Sequence, residues 1–93
     1  MRRIEYTRLF KRDLRSEKSG QHGPYLQDIL TYVTDILIVD KALPRKFWDH
    51  PLKGDYKDCR DCHLKPDLVL IYRIINHDIL ELVRIGSHSE LDL

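Results

Sequence analysis

The chain has 93 residues, 42% of them hydrophobic and 33% charged, with a formal net charge of +1. That length suits one compact domain over residues 1–93, with a modest core and at most one active region. No apolar stretch approaches the roughly 20 residues needed to span a bilayer. The Arg-rich start leads into no hydrophobic signal region, and two cysteines, Cys59 and Cys62, are too few for a secreted disulfide scaffold. A soluble, cytoplasmic protein with no membrane partner is expected.

In chain order, Arg3-Ile4-Glu5-Tyr6 alternates as a short strand, and Thr7 is placed to cap a helix carrying Leu9, Phe10 and Leu14 on one side. Gly20 ends that helix. Pro24 suits the first position of a second helix, in which Leu26, Ile29, Leu30, Val33 and Leu37 recur at helical spacing. The β-branched run around Ile36-Leu37-Ile38-Val39 continues the stripe without a turn signal, which extends the helix to about Lys41 before Pro44 stops it. Ala42 to Asp55 reads as a long loop carrying Phe47, Trp48 and His50. Three strands follow, Tyr56–Leu64, Leu68–Ile75 and Ile79–Ile85, turning at Lys65-Pro66-Asp67 and Asn76-His77-Asp78. The nearly all-apolar Leu68–Tyr72 predicts a central strand covered on both faces. The predicted fold is α+β, β-α-α-β-β-β, with both helices on one face of an antiparallel sheet.

Three of the five histidines fall in short polar segments: His50 in Asp49-His50-Pro51, His63 in Arg60-Asp61-Cys62-His63, and His88 in Ser87-His88. Imidazole both takes and gives protons near neutral pH, and Asp67 and Arg84 lie close by in sequence. The set His50, His63, Asp67, Arg84 and His88 is a kit for acid–base chemistry on a phosphate. RNA cleavage would use it, because a 2′-hydroxyl must lose a proton, the 5′-oxygen must gain one, and a guanidinium can meet the charge between.

Strand alternation turns Cys59, Asp61 and His63 to one face and Arg60, Cys62 and Leu64 to the other, so the two cysteines diverge. No second pair exists to complete a four-ligand zinc site, and neither a metal nor another cofactor is predicted. Taken singly, each polar residue has an ordinary reading. His50 and Asp67 fit turns, His63 fits a strand histidine satisfied by Asp61, Phe47 and Trp48 fit loop anchors as well as base platforms, and His22 and His77 fit solvated turns.

Residues 1–20 carry seven Lys/Arg against three Asp/Glu, whereas the remainder carries nine against twelve. Arg2, Arg3, Arg8, Lys11, Arg12, Arg15 and Lys18 form a candidate surface for RNA or an acidic partner, to which Lys53 and Arg60 add.

The segments Asp-His-Pro-Leu-Lys-Gly at 49–54, Arg-Asp-Cys-His-Leu-Lys-Pro-Asp-Leu-Val-Leu-Ile-Tyr at 60–72, and Arg-Ile-Gly-Ser-His-Ser-Glu-Leu at 84–91 closely resemble the YafQ branch of the RelE/ParE toxin superfamily. The resemblance covers nearly the whole chain, the helical half only in layout. It implies a bacterial type II toxin with a fold related to microbial ribonucleases, which cuts messenger RNA in the ribosomal A site without a metal and is silenced by a cognate antitoxin. It also implies that His50, His63, Asp67 and His88 are the acid–base set and that Arg84 contacts the scissile phosphate. His88 is then expected as general acid to the 5′-oxygen, His63 or Asp67 as the group favouring 2′-hydroxyl deprotonation, and His50 as a group that orients the phosphate or shares in proton transfer. Leu68 and Asp92 stand where the family usually has Trp and Phe, aromatics that would stack on or pack near the mRNA. ParE-like relatives, which block DNA gyrase without cleavage, lack the histidine set; a decayed RNA-binding member is the other rival.

Overall fold

Thr7 joins the first strand to the first helix and fastens both to the sheet. Its hydroxyl accepts from the Phe10 N–H at 3.0 Å and donates to the Val83 carbonyl at 2.7 Å, while its own N–H reaches the Leu82 carbonyl at 3.1 Å. The computed structural model describes residues 1–20 and 23–93, so the expectation for His22 lies outside the described residues. The elements run β1 (Arg3–Tyr6), α1 (Arg8–Lys18), α2 (Gly23–Ile38), β2 (His50–Pro51), β3 (Arg60–Lys65), β4 (Leu68–Ile75) and β5 (Ile79–Gly86).

The sheet order is β1-β5-β4-β3-β2. The pairs β2–β3, β3–β4 and β4–β5 are antiparallel, but β1 lies parallel to β5, with Arg3 opposite Ile79 and Tyr6 opposite Leu82. The sheet is antiparallel as expected except on this edge, where both helices and three strands intervene before β5 and that long crossover permits parallel pairing.

Both helices cover one face. Phe10, Leu26, Leu30, Val33 and Leu37 pack against Cys62, Leu70, Leu80, Leu82 and Ile85. A smaller cluster of Cys59, Val69, Ile71 and Leu91 covers the other face, so β4 is central and buried on both sides as predicted. The thiols do diverge, Cys62 into the helix-side core and Cys59 into the opposite cluster, and both are free.

Three departures from the predicted helices and strands exceed a single residue. α2 ends at Ile38, where Asp40 takes φ 59° and the N–H groups of Asp40 and Lys41 donate to the carbonyls of Leu37 and Ile36. That is a Schellman closure with aspartate in the place glycine usually takes. The expected start of β3 at Tyr56 moves to Arg60, because Gly54–Tyr56 form a 3-10 turn, with Gly54 at φ 68°, that packs Tyr56 and Cys59 on the sheet at a spacing of three. The expected loop around His50 holds the edge strand β2, in which Pro51 lacks only a donor that an edge does not need.

Candidate active site

β2 is two residues long, yet its pairing places His50 directly opposite Asp61 on β3. His50 Nδ1 lies 2.8 Å from the Trp48 carbonyl and 3.0 Å from Asp61 Oδ1. Hydrogen-bond geometry is met at the carbonyl and not at the carboxylate, so Asp61 Oδ1 is buried without a donor and its contact with His50 is purely electrostatic. A carbonyl oxygen can only accept, which puts the proton on His50 Nδ1 and leaves Nε2 for another partner. Burial raises the Asp61 carboxyl pKa above the usual aspartate range, against the pull of His50, His63 and His88.

His63 follows two residues later on the same side of β3. Its ring centroid is 6.4 Å from that of His50 and 4.9 Å from that of His88, edge-on to the latter. Its Nε2 is buried with no hydrogen-bond partner. Such a group is rare and marks a site built for something else. Burial lowers the His63 pKa, with the charges of His88 and His50 pushing the same way and Asp61 opposing them, so His63 is neutral at neutral pH and can accept a proton.

His88 lies just past β5. Ser87 and Glu90 form a reciprocal capping box, with the Ser87 N–H donating to Glu90 Oε1 at 2.9 Å and the Glu90 N–H donating to the Ser87 hydroxyl at 3.1 Å. The helical turn thus closed carries His88, and Leu91 anchors it in the second apolar cluster. Asp67, from the β3–β4 turn, sits 3.0 Å from His88 Nδ1 and 3.3 Å from its backbone nitrogen. A carboxylate accepts, so the Nδ1–H of His88 faces Asp67.

Trp48 lies over this group, its ring 4.7 Å from that of His50 and 5.0 Å from that of His63. It adopts a left-handed backbone, φ 45° and ψ 53°, at the end of the 3-10 turn Arg45–Phe47. Bulky residues rarely take that conformation, at a cost of order 1 kcal/mol, and such strain collects at functional sites.

The structure therefore brings His50, His63, His88 and Asp67 together, and adds Asp61 and Trp48. Arg84 points elsewhere. β1 leaves the sheet after Tyr6, so the edge of β5 beyond Leu82 meets α1 instead, and Asp13 of α1 takes the Ile85 N–H at 3.3 Å. Arg84 pairs with the same carboxylate, Nε to Oδ2 at 2.7 Å and Nη2 to Oδ1 at 3.0 Å. Burial alone would raise the Asp13 pKa, but the Arg84 and Ile85 hydrogen bonds and the Arg84 charge together hold it below the usual value.

The basic residues divide similarly. Arg8, Lys11, Arg12, Arg15, Lys18 and Lys53 are exposed, and Arg3 is exposed with an ion pair to Glu5. Arg2 is turned inward, donating to the carbonyls of His77 and Leu37 and to Asp40. Arg60 is held by Asp49, whose Oδ1 also accepts from the Tyr72 hydroxyl at 2.6 Å. Leu68 lies in the helix-side core, so no aromatic could be presented to RNA from that position without leaving it, and Asp92 is exposed with φ 59°. Among the described residues no group of three or more His, Cys, Asp or Glu is arranged to hold a metal ion.

Sequence reasoning missed Asp13 because its partner lies 71 residues away. It also missed the capping box, although Ser87-His88-Ser89-Glu90 carries that signature openly.

Two helices on one face of a mostly antiparallel five-stranded sheet make this the RelE-like α+β fold, and the histidines gather at one end of it. The chain belongs to the family described as "Bacterial toxin of type II toxin-antitoxin system, YafQ", which matches residues 2–93. It is 35% identical over 91 residues to the mRNA interferase toxin YafQ of Escherichia coli K12, covering 97% of this chain and 95% of that protein. YafQ in the crystal structure of the E. coli DinJ–YafQ complex superposes with a TM-score of 0.79 at 32% identity, over 98% of each chain. A metal-bound toxin from Helicobacter pylori superposes at 0.81 with 42% identity, over 98% of this chain and 99% of that one.

Proposed function

We propose that this chain is an endoribonuclease toxin that cuts messenger RNA on the ribosome by metal-free acid–base chemistry at the histidine cluster. The observation that carries the reading is the meeting of the His50 and His88 rings with that of His63, whose Nε2 is buried without a hydrogen-bond partner. Neutral His63 takes the proton of the 2′-hydroxyl, whose oxygen attacks the adjacent phosphorus. His88 acts as the imidazolium: its Nδ1–H stays on Asp67, and its Nε2 gives a proton to the departing 5′-oxygen and returns to the neutral ring. The products are a 2′,3′-cyclic phosphate and a free 5′-hydroxyl. His50 orients the phosphate. Asp67 acts on His88 rather than on the substrate, while Asp61 does the same for His50.

The partners follow from the same reading. A cognate antitoxin covers the toxin, as DinJ accompanies YafQ in the E. coli complex. Exposed cations of α1, with Lys53, meet ribosomal RNA phosphates, and a protein acting on the ribosome works in the cytoplasm. No helix among the described residues is long and apolar enough to cross a membrane.

Primer extension on a reporter mRNA during induced expression tests this. Cuts that vanish when the reporter's start codon is removed are expected; growth arrest with intact mRNA and altered plasmid supercoiling would point to gyrase instead.

A further inference from the structure

α2 carries more apolar surface than its core contacts use. Leu26, Leu30, Val33 and Leu37 face the sheet, but Tyr25, Ile29 and Tyr32 form a second stripe at spacings of four and three. Along it lies a depression of about 300 Å³, with the buried Phe47 beneath and Tyr25 and Tyr32 exposed at 66% and 48%. Lys46 and Lys65 line it as well, and Asp28 supplies its one carboxylate. The Lys65 ammonium stands 6.0 Å from the centre of the Tyr25 ring, Lys46 lies 5.4 Å from that of Phe47, and Tyr32 stacks on Phe47 at 5.8 Å.

The depression is not isolated. Ile29, Lys46, Phe47 and Lys65 also line a neighbouring cavity of about 390 Å³, which ends at His63 and Trp48. One trough thus runs from the tyrosines of α2 to the histidine cluster, with the strained, 63% exposed Trp48 at the junction.

We propose that this trough is a single-stranded RNA subsite that holds the nucleotides next to the cleaved phosphate, with bases stacked on Trp48, Tyr25 and Tyr32 and phosphates met by Lys46 and Lys65. It rests on the histidine cluster being the cleavage centre. Aromatic faces interleaved with ammonium groups suit a strand that presents a flat base and a charged phosphate in each repeat. Asp28 can accept only from a donor such as a base amino group. Two lysines and the direct run into the histidines favour RNA over an apolar protein segment.

Trp48 is the only tryptophan, so its fluorescence reports on the site without a label. Titration with a single-stranded RNA hexamer, 2′-O-methylated throughout so that it cannot be cut, should quench it. Tyr25→Ala/Tyr32→Ala should weaken binding about tenfold, while Tyr25→Phe/Tyr32→Phe should bind within about twofold of the wild type. Lys46→Ala/Lys65→Ala should flatten the salt dependence by somewhat over one log–log unit. Both tyrosines are exposed, and circular dichroism checks that the fold is kept. No quenching of the wild type, or alanine variants that bind as it does, would overturn the proposal and give the trough another occupant, a protein strand among them. Failure of the cleavage reading looks different: mRNA stays intact while hexamer binding and its tyrosine dependence persist.

Discussion

His63 has the clearest chemical signature of any single residue: a buried nitrogen with no partner, and a pKa held below the ordinary histidine value by burial and two neighbouring imidazoles. Since the base must be neutral to act, the acid limb of the cleavage profile should fall through an apparent pKa below 6.5, the value of an unperturbed histidine. A single-turnover pH series on ribosome-bound mRNA checks this, and an acid limb centred above 6.5 would assign the base elsewhere. The sign for folding follows from the same shift. The unfolded chain binds the proton more readily than the folded one, so stability declines as pH falls below about 6.5 and levels off beneath the folded value. At this scale the histidine types and segments were legible in the sequence. Trp48 was legible only as one of two alternatives, because nothing local announces that its backbone turns left-handed over two rings.

Between elements, the Asp13 contact fastens α1 to the edge that β5 exposes once β1 has left the sheet. Asp13→Ala would strip Arg84 of a two-point partner and the Ile85 N–H of its acceptor, costing about 3 kcal/mol in urea unfolding at neutral pH. Folding lowers the Asp13 pKa, so its contribution is present above the usual value of 3.8 and fades as pH falls through the folded value. The gap between wild type and variant should therefore narrow below about pH 4; a gap that stays constant down to pH 2 would show that Asp13 acts by packing alone. Arg84 was predicted from chemistry as a phosphate ligand, and alternation along one strand carries no information about α1. The strand β4 could be read residue for residue because an unbroken apolar run has one stable place, between two covered faces. The start of β3 could not, since Tyr56 and Cys59 are apolar at a spacing that a 3-10 turn and an irregular strand both satisfy.

Over the whole molecule, the layer of two helices on a sheet was legible from periodicity. The parallel β1–β5 pair was not, because register between chain ends depends on contacts no local pattern encodes. That pair makes β5 an inner strand, and the capping box past its end delivers His88 to the histidines of β2 and β3. Three segments distant in sequence thus meet at one end of the sheet, and the proposal is that they cut RNA by 2′-hydroxyl attack. The most direct test is the end chemistry of mRNA cleaved in a reconstituted translation system by the wild type and by His88→Ala. The wild type should leave a 2′,3′-cyclic phosphate on the upstream fragment, and the variant should cut at least about 100-fold more slowly with its fold intact. A free 3′-hydroxyl with a 5′-phosphate, or undiminished cutting by the variant, would contradict it.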